Sequence, residues 1–139
     1  MTILPRGWVS AGHDPDSGIH VRNSAIPGRV TIMDAASDGH LTYLRADHWR
    51  DWLRLVASGA YEPDPDHLAG YVRLNVADPY PLGYRPRAVR TTHAAWQQFV
   101  SGTRDGVFDE LPPYMPAESQ HDAIQLAARR NRIMPRRGW

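Results

Sequence analysis

The sequence predicts an α+β fold in which two related units each place short antiparallel strands before one helix, followed by a C-terminal basic helix. Three observations predict it. Short β-branched segments alternate with turn residues. Two apolar stripes with helical spacing begin at tryptophans, and these stripes align with each other without a gap. A chain of 139 residues is long enough for one ordinary domain, or for two half-sized units that share a core.

The first unit opens with three predicted strands, Ile19 to Arg22, Val30 to Met33 and Leu41 to Leu44. Ile-Pro-Gly at 26–28 and Ser-Asp-Gly at 37–39 supply turn chemistry between them. Because strands joined by tight turns run in opposite directions, we expect a three-stranded antiparallel meander.

A helix follows the strands of each unit. Residues at offsets 0, +3, +4 and +7 lie on one face of a helix. These offsets hold Trp49, Trp52, Leu53 and Val56 in the first unit, and Trp96, Phe99, Val100 and Thr103 in the second. A helix in so small a unit must bury its one apolar stripe against the sheet, so we expect the tryptophans in the core rather than on an exposed recognition surface.

Local signals mark the ends of both helices. Gly59 and Gly106 each stand ten residues after the first tryptophan of their stripe, where a left-handed glycine can end a helix. Thr92 is a plausible N-cap for the second helix, whereas Arg45 at the equivalent place is a poor one.

The second unit is shorter than the first. Its predicted strands, Tyr71 to Val76 and Ala88 to Thr91, flank a loop whose prolines prevent a regular ladder. The connector before it alternates acids with prolines, which predicts an exposed linker. The chain therefore divides into a first strand–helix unit (8–62), the linker (63–69), a second, degenerate unit (70–110) and an extension with a basic helix and tail (111–139).

The order of elements in the first unit carries a family resemblance. It consists of a strand, a tight turn, a second strand, a second turn, a third strand and a helix that opens near a tryptophan and closes on a glycine plus an aromatic. The positions are Ile19 to Asn23, Pro27-Gly28, Val30 to Asp34, Ser37 to Gly39, Leu41 to Leu44, Trp49, and Gly59 with Tyr61. This segment resembles the actinobacterial domain of unknown function 397 family of BldB-like small regulatory proteins.

The resemblance implies a non-enzymatic partner protein that binds a helix-turn-helix transcription regulator, sometimes as one half of a toxin–antitoxin-like pair. It brings no catalytic residues. Since the second unit echoes the first, the chain is expected to form an internal pseudo-dimer, and association into a homo-oligomer stays open.

The amino-acid composition indicates the compartment in which the protein works and how its charge is distributed along the chain. The chain has no cysteine, which fits a reducing cytoplasm, and no apolar run approaches the length that spans a membrane. All 16 basic side chains are arginines, and five of them lie in the last eleven residues without an acid. The preceding part then carries 11 arginines against 15 acids, so an acidic body of −4 precedes a tail of +5.

Two sets of residues are candidates for partner contacts. Trp8, Tyr80 and Tyr84 lie near loops or ends, and Asp47 and Asp51 contribute to an acidic face, so these five are predicted to bind a protein partner. The tail predicts the alternative function, a nucleic-acid-associated protein, because arginines contact phosphates or an acidic partner. Its residues are Arg129, Arg130, Arg132, Arg136 and Arg137.

Motifs for catalysis and metal binding are not found in the sequence. The histidines lack the paired spacing of a zinc helix, and neither a glycine-flanked nucleophile elbow nor a Walker loop is present. We therefore expect no metal, no cofactor and no enzymatic activity. An acid–base site built from Asp34, Asp47, Asp51 and His48 stays open as the alternative, as in a toxin.

Overall fold

The computed structural model describes residues 2–3, 7–14, 16–36, 41–76 and 88–114. They form two antiparallel sheets and two helices, which confirms the α+β fold class. The elements in chain order are β1 (Thr2–Ile3), β2 (Val9–Ser10), β3 (Ile19–Asn23), β4 (Arg29–Asp34), β5 (Leu41–Arg45), α1 (Ala46–Ser58), β6 (Asp64–Pro65), β7 (Tyr71–Leu74), β8 (Val89–Thr92) and α2 (His93–Arg104).

The larger sheet contains β1 to β5 in sequence order, with every neighbouring pair antiparallel. The predicted meander of β3, β4 and β5 is confirmed, with Val21 opposite Ile32 and Ile32 opposite Thr42. Two further strands, β1 and β2, extend it beyond β3. Because side chains alternate between the faces of a strand, Val9, Val21 and Ile32 share one buried face.

Helix α1 follows β5 without a loop. Its residues Trp49, Trp52, Leu53 and Val56 are buried, as the spacing predicts. The helix stops at Gly59, which has φ 81° in the left-handed region and whose N–H reaches back to the carbonyls of the last turn. Arg45 stands at the N-cap without a side-chain cap hydrogen bond, in agreement with the sequence.

The smaller sheet has the order β6, β7, β8 and leads directly into α2. The Thr92 hydroxyl accepts a hydrogen bond from the Ala95 N–H at 3.1 Å, so the predicted N-cap is confirmed. The segment predicted as an exposed linker also contributes a strand, because Asp64 and Pro65 pair with β7. Proline is tolerated there because β6 is an edge strand.

Both helices contribute to one hydrophobic core with the inner face of the larger sheet. Trp52 of α1 lies 6.2 Å from Trp96 and 5.5 Å from Phe99 of α2, measured between ring centroids. Trp49, Trp52, Trp96 and Phe99 are all at least nine-tenths buried, which confirms the expectation that these rings form core rather than surface. The structural equivalence of the two units stays a prediction.

The chain after α2 crosses back to the larger sheet. Gly106, with φ 80°, turns the chain after the helix, and Phe108 is buried against Phe99 at 4.7 Å between centroids. Asn23 Nδ2 then donates to the carbonyl oxygens of Leu111 and Pro112 at 3.3 and 2.8 Å. We call residues 107–112 the strap. The predicted C-terminal basic helix lies outside the described residues.

Candidate functional site

A cleft of about 410 Å³ lies between α1, the larger sheet and the strap. Its walls combine residues of both units with the C-terminal extension. The lining residues are Asn23, Val30, Ala46, Trp49, Arg50, Leu53, Arg54, Ala57, Thr103, Phe108, Asp109 and Leu111. This volume falls in the range of clefts that bind ligands or the anchoring side chains of a protein partner.

The floor of the cleft is apolar. Trp49 and Leu53 come from the buried stripe of α1, Val30 comes from the inner face of β4, and Phe108 comes from the strap. The Phe108 ring meets the Trp49 ring edge-on at 6.3 Å between centroids. All four side chains are more than nine-tenths buried, so their positions are fixed by core packing.

The rim of the cleft carries charges of opposite sign. Arg50 on the α1 side and Asp109 on the strap side are both exposed. Among the described residues, neither side chain has a hydrogen bond or an ion pair. Arg54, also on the α1 side, is bonded at 2.6 Å to the exposed Asp51, so its charge is already compensated. The cleft is therefore bipolar, with an exposed arginine on its α1 side, which also attracts the Asp47 carboxylate, and an exposed aspartate on its strap side.

Two tertiary contacts hold the walls of the cleft in place. Arg104 Nε of α2 donates to the Ala57 carbonyl of α1 at 3.1 Å. On the other side, Asn23 holds the strap against the end of β3 through the two carbonyl bonds described above. A cleft whose walls are tied in this way is formed before a ligand arrives, which lowers the entropic cost of binding.

The structure places the sequence-predicted contact residues at different sites. Asp51 joins the rim of the cleft through Arg54, whereas Asp47 lies in the first turn of α1 beside Arg45. A hydrogen bond from the His48 backbone N–H is the main cause that lowers the pKa of the Asp47 carboxyl.

Trp8 lies on the opposite face of the larger sheet. It is half-buried, and the Arg22 guanidinium stacks over its ring at 4.4 Å from the centroid. The other predicted contacts, Tyr80, Tyr84, Arg129, Arg130, Arg132, Arg136 and Arg137, lie outside the described residues.

The sequence did not predict that these two opposite charges lie on the rim of one cleft. Arg50 stands four residues before Arg54 on the polar side of α1, a pattern that is typical of a solvated helix face. Asp109 is one of several acids near the end of the second unit. Only the return of the strap to the sheet brings the two onto one cleft.

The alternative acid–base group does not assemble as a site. Asp34 is buried at the far end of β4, where its carboxylate accepts from the Ala36 N–H at 2.8 Å. At the other end of β4, Arg29 pairs with Arg45 of β5, the residue just before α1. Five residues of strand therefore separate Asp34 from the start of α1, about 16 Å. His48 is used elsewhere, because its Nε2 lies 3.0 Å from the Val76 carbonyl oxygen.

Metal-ligand clusters and membrane-spanning helices are both absent from the described residues. None of their histidine, aspartate and glutamate side chains group in threes as metal ligands. No helix within this part of the chain has the length and apolar character to cross a membrane.

Comparisons with family models, with curated proteins and with solved structures found no match to the chain. The resemblance to the domain of unknown function 397 family therefore stays a prediction.

Proposed function

We propose that this protein is a non-enzymatic regulatory partner that binds another protein in its cleft. The observation that carries the proposal is the combination of a fixed apolar floor with an exposed arginine and an exposed aspartate on the rim. Protein interfaces have this arrangement, with apolar anchors at the centre and polar groups around them.

The identity of the partner follows from the sequence resemblance. It is a helix-turn-helix transcription regulator in the cytoplasm, and the two proteins work as a regulatory or toxin–antitoxin-like pair. The cleft supports this by offering a surface for a protein segment.

The test is co-purification of the full-length tagged protein from its native cells, followed by direct binding to the purified regulator. In one variant, Ala57→Arg, a long side chain is introduced into the cleft from α1. In the matched control, Ser58→Arg, the same side chain is placed one residue further on, at an exposed position that does not line the cleft.

We expect Ala57→Arg to abolish capture of the regulator while the control retains it. Capture of the regulator by both variants would show that the cleft is not the contact surface. Absence of a helix-turn-helix regulator from the wild-type complex would overturn the assignment of the partner.

A second candidate function rests on the five arginines of the last eleven residues. In this alternative the protein associates with nucleic acid through its tail. Removal of residues 129–139 should then abolish retention on DNA and flatten its dependence on salt, because each phosphate contact releases a counterion. Unchanged retention after the truncation would exclude it.

A further inference from the structure

We infer that the cleft selects a bipolar segment of its partner, in which an acidic side chain and a basic side chain flank apolar ones. This inference rests on the proposed function, since it names the chemistry of the segment that the cleft would bind. The juxtaposition behind it is that of Arg50 of α1 and Asp109 of the strap in the lining of one cleft with an apolar floor.

Arg50 of α1 and Asp109 of the strap differ from the charges around them in forming no ion pair among the described residues, although Arg50 also attracts the Asp47 carboxylate. Asp51 is bonded to Arg54, and Asp47 lies 3.6 Å from Arg45. Arg50 and Asp109 have no such ion pair among the described residues, and both side chains are exposed to a ligand. A ligand that supplies a carboxylate to Arg50 and a cation to Asp109 therefore adds two ion pairs without breaking one.

The floor of the cleft determines which side chains fit at the centre of the bound segment. Trp49, Leu53 and Phe108 supply its apolar surface, and the nearby Thr103 hydroxyl and Asn23 Nδ2 already donate to backbone carbonyls, so a charged side chain placed there would lose water and gain few hydrogen bonds. Leucine, methionine or phenylalanine side chains fit this requirement. The order along the segment is thus acid, apolar, base, and the rim rejects segments whose flanking charges have the same sign.

The probe is a panel of synthetic peptides in which two leucines are flanked by charged residues at stepped separations. The flanks are acid and base in either order, two acids, two bases, or two glutamines. Wild-type protein should bind the bipolar peptides about three to ten times more tightly than the uncharged ones, the range of one or two exposed ion pairs.

Charge reversals in the rim should change the preferred peptide. Arg50→Glu makes the rim doubly acidic and should favour peptides with two bases. Asp109→Arg makes it doubly basic and should favour peptides with two acids. The double variant restores a bipolar rim with the opposite order. Asp105→Arg is the matched control, because it makes the same charge change at an exposed position off the cleft.

All these positions are exposed, so circular dichroism and urea unfolding should show folded variants. The inference would be overturned if the charge reversals left the preferred peptide unchanged. It would also be overturned if the Asp105→Arg control changed the preferred peptide. Its failure differs from failure of the proposed function. If Ala57→Arg abolishes capture of the regulator but the rim variants prefer the same peptides as the wild type, the cleft binds its partner without selecting its charges.

Discussion

Replacing Gly102 by alanine should destabilise the protein even though Gly102 lies within α2. On helix propensity alone, alanine would be better than glycine by about 1 kcal/mol. However, a Cβ at this position would lie 2.6 Å from the Ala11 Cβ, against about 3.5–4.0 Å for a favourable carbon–carbon contact. The Ala11 methyl is rigidly attached to the backbone, so α2 or the chain after β2 must move.

The size of the effect follows from these opposing terms. Overpacking of a well-packed site costs about 1–3 kcal/mol. Subtracting the gain in helix propensity leaves a net loss of up to about 2 kcal/mol in the free energy of unfolding. The same steric term should disappear when Ala11→Gly is added, because that change removes the atom with which the new Cβ collides.

A double-mutant cycle measured by urea unfolding isolates this term. We expect Gly102→Ala and Ala11→Gly to couple by about 1–3 kcal/mol in favour of the double variant. Ser101→Ala is the control, since it raises helix propensity at an exposed neighbouring position and should be slightly stabilising. Additive effects, within about 0.5 kcal/mol, would refute the close approach of α2 to Ala11.

Three further predictions test the cap, the strap and the buried histidine. Thr92→Ala should lower the free energy of unfolding by about 1 kcal/mol while Thr92→Ser retains most of it, measured by urea unfolding; equal losses would exclude a capping role. Asn23→Ala should increase amide exchange in the strap, because two carbonyl bonds are lost, and unchanged protection would show that the strap is held otherwise. Burial is the main cause that lowers the pKa of His20 below its ordinary value of 6.5. Since the unfolded chain then binds the proton more tightly, this contribution to stability is present above about pH 6.5 and is lost as the pH falls toward the lowered folded value. His20→Gln should therefore show a shallower loss of stability below pH 6.5 than the wild type, and an identical pH profile would contradict this.

Much of the fold could be predicted because its signals are local. The strands β3 to β5 are β-branched segments between turns, α1 ends at a left-handed Gly59, and α2 begins at a Thr92 cap. Each of these depends on a few neighbouring residues. The end of α1 and the start of α2 can be predicted from these few residues alone.

The remaining elements depend on distant pairing. Strands β1 and β2 are two residues each, too short to show a period, and they exist because β2 pairs with β3. Strand β6 contains Pro65, and the alternation of acids and prolines around it predicts a linker rather than a strand. The cleft is the extreme case, because Asn23, Arg50 and Asp109 are far apart in sequence and line one cleft only when the strap returns to the sheet.

The cleft and the stability of the fold depend on partly the same side chains, and this decides which variants can report on binding. Trp49 and Phe108 form the floor, yet they also fill the core between the helices. Truncating a buried aromatic side chain costs about 3–5 kcal/mol, a large part of the stability of a small domain. A floor variant that loses its partner could therefore simply be unfolded. The side chains of Arg50 and Asp109 are exposed and form no ion pair among the described residues, so loss or change of binding in rim variants reports on recognition more directly than a floor variant does.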